Sequence, residues 1–188
     1  MRRKQRTILE KPSKDRQQEF LTAVARSRTL HANWVAPPRT ATAFRQYLER
    51  LKSADHLGYW ILTNTDELAG VINISEIVRG GFRSGYLGYY AFAPYNGCGY
   101  MTAGLRTVIS LAFGRLRLHR LEANIQPGNE ASRRLVQRLG FRCEGVSPRY
   151  LKIAGRWRDH ERWAITAEEW PSAGRVLNSS HAITNLRR

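Results

Sequence analysis

The segment Asn96-Gly97-Cys98-Gly99-Tyr100 stands between a run ending at Pro94 and an apolar stretch that continues to Phe113. Two glycines one residue apart let the backbone turn sharply and approach a ligand closely, because neither carries a Cβ. If a helix starts here, its first N–H groups have no partner inside the helix and sit at the positive end of its dipole. Such a turn is an anion site, and a pyrophosphate matches it. The same glycines also suit a plain strand-to-helix turn. The spacing differs from Gly-x-x-x-x-Gly-Lys-[Ser/Thr], which argues against a nucleoside-triphosphatase loop, and Thr102 occupies the place of the third glycine in a dinucleotide fingerprint.

The elements that must position this turn are legible as periodicities. Thr7 to Lys11 reads as a short strand. Pro12-Ser13 breaks it, and Ser13 can cap a helix over 14–28 whose apolar stripe is Phe20, Leu21, Val24 and Ala25. A loop from His31 to Arg39 leads to Thr40, a cap for a second helix carrying Phe44, Tyr47, Leu48 and Leu51. Strand signals follow at Tyr59–Thr63, Leu68–Ile77 and Gly85–Ala93. A helix entered through the glycines spans Gly97–Phe113, and Arg120–Ile125 is a strand. Asn129 can cap a helix over Glu130–Leu139, with Gly140 closing it. Phe141–Ile153 and Arg156–Thr166 form a hairpin around Ala154-Gly155. The order β-α-α-β-β-β-α-β-α-β-β is an α+β pattern. Residues 1–170 read as one domain and 171–188 as a polar, flexible tail.

Composition bounds the partners. The 188 residues hold 31 Lys and Arg against 15 Asp and Glu, a net charge of +16, spread along the whole chain. That field attracts polyanions, RNA or an anionic cofactor among them, and it also favours solubility. An apolar content of 42% excludes a disordered composition. No apolar run reaches the roughly 18 residues of a membrane span, and none follows the basic start as a secretory leader requires. Cys98 and Cys143 lack metal-ligand spacing, so no metal and no disulfide framework is expected, and the setting reads as reducing and cytoplasmic.

Several motifs extend the glycine turn in both directions. They are Leu87-Gly88-Tyr89, Gly97-x-Gly99-Tyr100-Met101, His119-Arg120-Leu121-Glu122-Ala123-Asn124, Asn129-x-x-Ser132 and Leu139-Gly140-Phe141-Arg142-x-Glu144-Gly145. With Ile77-Val78-Arg79-Gly80, Tyr150-Leu151-Lys152-Ile153 and Trp157-Arg158-Asp159-His160, the series resembles the GNAT N-acetyltransferases, in particular the RimJ/RimL type that acetylates ribosomal-protein alanines. The resemblance covers Leu57 to Ile165. It implies a GNAT fold: a mixed, mostly antiparallel twisted sheet of six to seven strands, flanked by helices, with a V-shaped splay between the fourth and fifth. It implies acetyl-CoA lying in that V as cosubstrate. Its pantetheine would pair with the backbone at Tyr90, Ala91 and Phe92. Its pyrophosphate would sit on the amides of Asn96, Gly97, Cys98, Gly99, Tyr100, Met101 and Thr102, and Asn129 and Ser132 would reach it from the next helix. This chain has Tyr86 where many relatives carry a Glu, and Arg149 where some carry another.

Amine acetylation needs alignment of the reactants, stabilisation of an oxyanion and a proton for the leaving thiolate. Ser132 is the candidate donor to the thiolate, with a solvent-facing helix position as its alternative. Asn124 and Glu122 share one face of their strand and could orient the amine, although Glu122 also suits a solvated strand position. Tyr86 and Tyr150 are alternative proton donors or half-buried packing residues. An α-amine titrates near 7.7–8.0 against about 10.4 for lysine, so a site with no evident carboxylate base is more compatible with an N-terminal acceptor. The expected function is therefore transfer of acetyl to a protein N-terminus, that of a ribosomal protein first, with electrostatic contact to rRNA. The alternatives are a small amine, polyamine or aminoglycoside acceptor, or a non-catalytic RNA-binding protein on the same fold. No membrane partner is expected, and the oligomeric state stays open between monomer and homodimer.

Overall fold

In the computed structural model the described residues are 7–171 and 186–187. They form one sheet of eight strands, β1 (Ile8–Glu10), β2 (Leu57–Leu62), β3 (Leu68–Val78), β4 (Ser84–Ala91), β5 (Arg120–Ile125), β6 (Arg142–Ile153), β7 (Arg156–Thr166) and β8 (Leu186–Arg187). The spatial order is β6-β7-β5-β4-β3-β2-β1-β8. Pairs β4–β5 and β1–β8 are parallel and the others antiparallel, the mixed α+β arrangement expected. The eighth strand lies in the segment read as a tail: Leu186 and Arg187 pair with Leu9 and Glu10. The rest of that tail, 172–185 and 188, lies outside the described residues.

Among the described residues five α-helices cover the sheet: α1 (Gln17–Arg26), α2 (Arg28–His31), α3 (Ala41–Arg50), α4 (Tyr100–Gly114) and α5 (Glu130–Arg138). Strand β2 shows why there are two cores. Trp60 and Leu62 turn to Phe20, Val24, Phe44 and Tyr47 of α1 and α3, whereas Tyr59 and Ile61 turn to the face covered by α4 and α5. Alternation sends successive side chains to opposite faces, so a strand buried on both sides is apolar throughout. No helix among the described residues is long and apolar enough to cross a membrane.

The first helical region is broken rather than continuous. Ser13 caps a short 3-10 turn, Lys14–Arg16, before α1, and α2 opens after Ser27. Ser27 is buried at the break. Its Oγ donates to the Ala23 carbonyl at 2.7 Å and accepts from the Ala93 N–H at 2.9 Å. This hydroxyl ties the end of α1 to the chain just beyond β4, and that contact lies 66 residues away in sequence.

Candidate acetyl-transfer site

Strands β4 and β5 pair only through Ser84–Arg120, Gly85–Leu121 and Tyr86–Glu122. Beyond Tyr86 they separate, and the separation is the V expected between the fourth and fifth strands. The Arg83 carbonyl accepts from His119 and Arg120, while the Phe92 N–H donates to Ala69 of β3. Peptide groups alternate sides along a strand, so those of Leu87, Tyr89 and Ala91 face the V and those of Tyr90 and Phe92 face β3. Of the three residues expected to pair with pantetheine, only Ala91 presents its peptide group to the V. Its carbonyl is already met by His31 Nε2 at 2.8 Å.

The glycine turn has the geometry that an anion site requires. Gly97 and Gly99 have φ of 76° and 91°, the left-handed region that favours glycine. Gly99 caps α4, no side chain occupies the cap, and the first turn carries no acidic residue. The first intrahelical acceptor is the Gly99 carbonyl, taken by Ala103 N–H, which leaves the N–H groups of residues 100–102 without helical partners. Beside this turn lies a cavity of about 490 Å³, lined by Asn96, Gly97, Gly99, Met101 and Thr102, by Tyr90 and Ala91, and by Arg134 and Arg138 of α5. Cys98 and Phe92 are not in its lining; Cys98 is an exposed free thiol and Phe92 is buried in the core beside α1. Tyr100 is 5% exposed and stacks edge-on with Tyr95, so it contributes its amide rather than its ring.

A second cavity, about 220 Å³, lies deeper in the V and shares Trp34, Val35, Tyr89, Asn129 and Ser132 with the first. At this junction Tyr89 Oη and Ser132 Oγ are 2.6 Å apart. Asn129 caps α5 by accepting from the Ser132 N–H, which sets the position of Ser132 at the helix start. Burial raises the Tyr89 pKa to about 12, partly offset by the bond to Ser132, so Tyr89 keeps its proton at neutral pH.

The second cavity collects Tyr86, Asn124 and His160. Asn124 Oδ1 is buried with no partner among the described residues, an acceptor waiting for a donor. Tyr86 hydrogen-bonds Tyr150, and that bond, with burial and nearby Glu122, raises its pKa to about 12. Glu122 lies outside both linings, held by Arg120 at 2.9 Å in a network that also takes in Glu144. His160 is 2% exposed, and its Nδ1 lies 2.9 Å from the Arg158 carbonyl. A carbonyl only accepts, so Nδ1 holds the proton and Nε2 is left as an acceptor. Burial lowers the His160 pKa, opposed by this hydrogen bond and by Asp159.

Tyr89 and His160 stand in recognisable motifs, but the sequence alone assigns neither a chemical role. Strand parity places Tyr89 opposite in facing to Tyr90, but sequence does not say which face α5 covers. Nothing at position 160 signals that its strand folds over the V. No group of three or more His, Cys, Asp or Glu that could hold a metal occurs among the described residues.

Comparison with known proteins agrees with this geometry. The Acetyltransferase (GNAT) domain model matches residues 6–142. The [Ribosomal protein uS5]-alanine N-acetyltransferase of Escherichia coli is 41% identical over 104 residues, 55% of this chain and 54% of that enzyme, so the match spans about half of its length. Mycobacterium smegmatis RimJ in complex with CoA-disulfide superposes with a TM-score of 0.81 at 28% identity, covering 91% of this chain and 88% of that one. Spermidine N-acetyltransferase from Vibrio cholerae, in complex with CoA and spermine, superposes with a TM-score of 0.74 over 87% of this chain and 96% of that one. At 16% identity that likeness concerns the fold alone. With a V-shaped splay, a glycine-entered helix and a domain match over most of its length, the chain belongs to the GNAT N-acetyltransferase family, with ribosomal-protein-alanine N-acetyltransferases among its relatives.

Proposed function

We propose that the protein transfers the acetyl group of acetyl-CoA to the α-amine of a protein N-terminus, a ribosomal protein being the first candidate. The observation that carries the acceptor class is the lining of the inner cavity. Its sixteen residues include no Asp, Glu, Lys or Arg. A polyamine or aminoglycoside brings several charges, and burying them without carboxylate partners is costly. A single neutral α-amine has no such requirement, and near neutral pH a sizeable fraction of α-amines is neutral. Relatives named for ribosomal-protein alanine point the same way.

The residues present suit acetyl-CoA. Unpartnered amides at the glycine turn and the cations Arg134 and Arg138 meet phosphate, and the open edge of β4 at Leu87 and Tyr89 can pair with an extended amide arm. When bound, acetyl-CoA supplies a thioester carbonyl. The amine nitrogen forms the new C–N bond and the C–S bond breaks. Tyr89, protonated and bonded to Ser132, gives a proton to the departing sulfur, and Ser132 keeps the phenol aimed. Asn124 Oδ1 accepts an N–H of the incoming amine and orients its lone pair. The proton that the nitrogen loses goes to His160 Nε2, the only imidazole in the inner lining, held neutral by burial and therefore free to accept. Release of that proton to solvent and uptake of one by the Tyr89 phenolate restore the site. Tyr86 shapes the wall, and Glu122 acts through Arg120 as a structural ion pair.

The test is kcat/KM for a peptide beginning with alanine against kcat/KM for spermidine at one acetyl-CoA concentration. The peptide is expected to win by about tenfold or more. A preference for spermidine would assign the polyamine reading instead.

A further inference from the structure

The hairpin of β6 and β7 forms one wall of the inner cavity and also the free edge of the sheet. Its tip is unusual in what it exposes. Trp157 is 61% exposed, directly opposite Lys152 on the neighbouring strand, so the indole and the ammonium share one face. Arg156 and Arg158 stand opposite Ile153 and Leu151 on the other face, the face that borders the cavity. Arg149 adds a fifth exposed residue, its backbone N–H tied to Asp159 at 2.7 Å.

None of Arg149, Lys152, Arg156 and Arg158 has an ion pair among the described residues. All 15 Asp and Glu of the chain lie within the described residues, so no side-chain carboxylate remains elsewhere to neutralise them. The hairpin's own carboxylate, Asp159, accepts from the Arg149 backbone N–H and forms no ion pair with these four cations, while Glu144 is engaged with Arg120 and Arg142 and Glu161 with Arg133. Four unpaired cations, one beside an exposed indole and the others elsewhere on the same hairpin, complement a polyanion that also offers flat apolar rings. A second copy of this chain would bring like charges together, whereas a single-stranded nucleic acid offers both phosphates and flat rings.

We infer that the β6–β7 hairpin binds unpaired RNA, with a base stacked on Trp157 and phosphates on Arg149, Lys152, Arg156 and Arg158. Paired bases cannot reach the indole, because their faces are already stacked, so single strands and loops are preferred over duplex. The contact needs no turnover and stands apart from the identity of the acetyl acceptor. If both hold, RNA on the hairpin lies beside the mouth through which the acceptor N-terminus enters.

The experiment is fluorescence anisotropy of a labelled short oligouridine against the full chain over a salt series, with CoA affinity measured in parallel to show that each variant is folded. Trp157→Ala is expected to weaken RNA binding by about fivefold or more. The double variant Arg156→Gln/Arg158→Gln is expected to lower the slope of log K against log salt by about 1.4, from about 0.7 per lost contact on a single strand. A control double variant on exposed helix positions, Arg45→Gln/Arg106→Gln, is expected to leave the affinity within about twofold. Equal weakening by the control, no loss in Trp157→Ala, tighter binding of duplex RNA, or comparable binding of polyglutamate would each overturn the assignment. The last of these would identify an acidic protein segment as the partner.

Discussion

Tyr89 Oη and Ser132 Oγ meet at 2.6 Å where the two cavities of the V join, linking the middle of β4 to the first turn of α5. One bond thus joins the strand edge available to the cosubstrate with the helix whose cap fixes Ser132. A pair that acts as a unit is non-additive when dismantled. Tyr89→Phe is expected to lower kcat by about 10²-fold with little change in KM for acetyl-CoA. Ser132→Ala should cost less, and the double variant should resemble Tyr89→Phe alone. Steady-state kinetics of the three variants check this, and full additivity would separate the two residues.

Gly99 sits at φ 91°, where a side chain is strained. Gly99→Ala is expected to cost about 1–2 kcal/mol in stability and to disturb the amides at the start of α4. KM for acetyl-CoA should rise while KM for the acceptor stays constant. Thermal melts and initial rates over both substrates measure these effects.

Asn124 Oδ1 is buried and unpartnered, and such a group is costly to folding. Asn124→Leu removes that cost at similar size. The variant should melt at or above the wild-type temperature, yet its acceptor KM should rise about tenfold or more. A stability gain with loss of acceptor affinity separates a functional asparagine from a packing residue. Unchanged kinetics would remove Asn124 from the site.

His31 and His160 both have pKa values lowered by burial from an ordinary value of 6.5. The unfolded chain then binds more protons than the folded one just below 6.5. Stability is therefore full above that pH and is lost as pH falls through it toward the lowered folded values. Melting temperatures should decline as pH drops below 6.5, before most carboxylates titrate near 4. His160→Gln should flatten part of that decline and lower kcat by about 10²-fold. His160→Gln with unchanged kcat would return the histidine to a packing role.

Local chemistry made much of this fold legible. Arg120–Ile125 reads as a strand from its alternation, and β5 has those ends. Asn129 caps α5, Thr40 caps α3, and Ala154-Gly155, with φ of 49° and 81°, makes the hairpin turn. These features depend on neighbours in sequence. The site residues that escaped a role depend on distant ones. The Tyr89–Ser132 bond spans 43 residues, and the His31 contact with Ala91 spans 60. His31 illustrates the difference: a histidine between two helices gives no sign that its Nε2 will meet the carbonyl lining the V. The break at Ser27 has the same origin, since a serine in a helical pattern becomes a boundary only once Ala93 arrives to donate to it. Charge was legible as a total but not as a placement, because ion pairing is decided by the sheet order.

The central claim is acetyl transfer to a protein α-amine. Its most direct test is intact-protein mass spectrometry of small-subunit ribosomal proteins incubated with the enzyme and acetyl-CoA, against a control without enzyme. The account expects a single added acetyl, located at the N-terminus of one protein and absent from the control. No acetyl on any of these proteins, with CoA binding shown separately, would contradict the ribosomal assignment, and acetyl found only on lysine side chains would contradict the α-amine specificity.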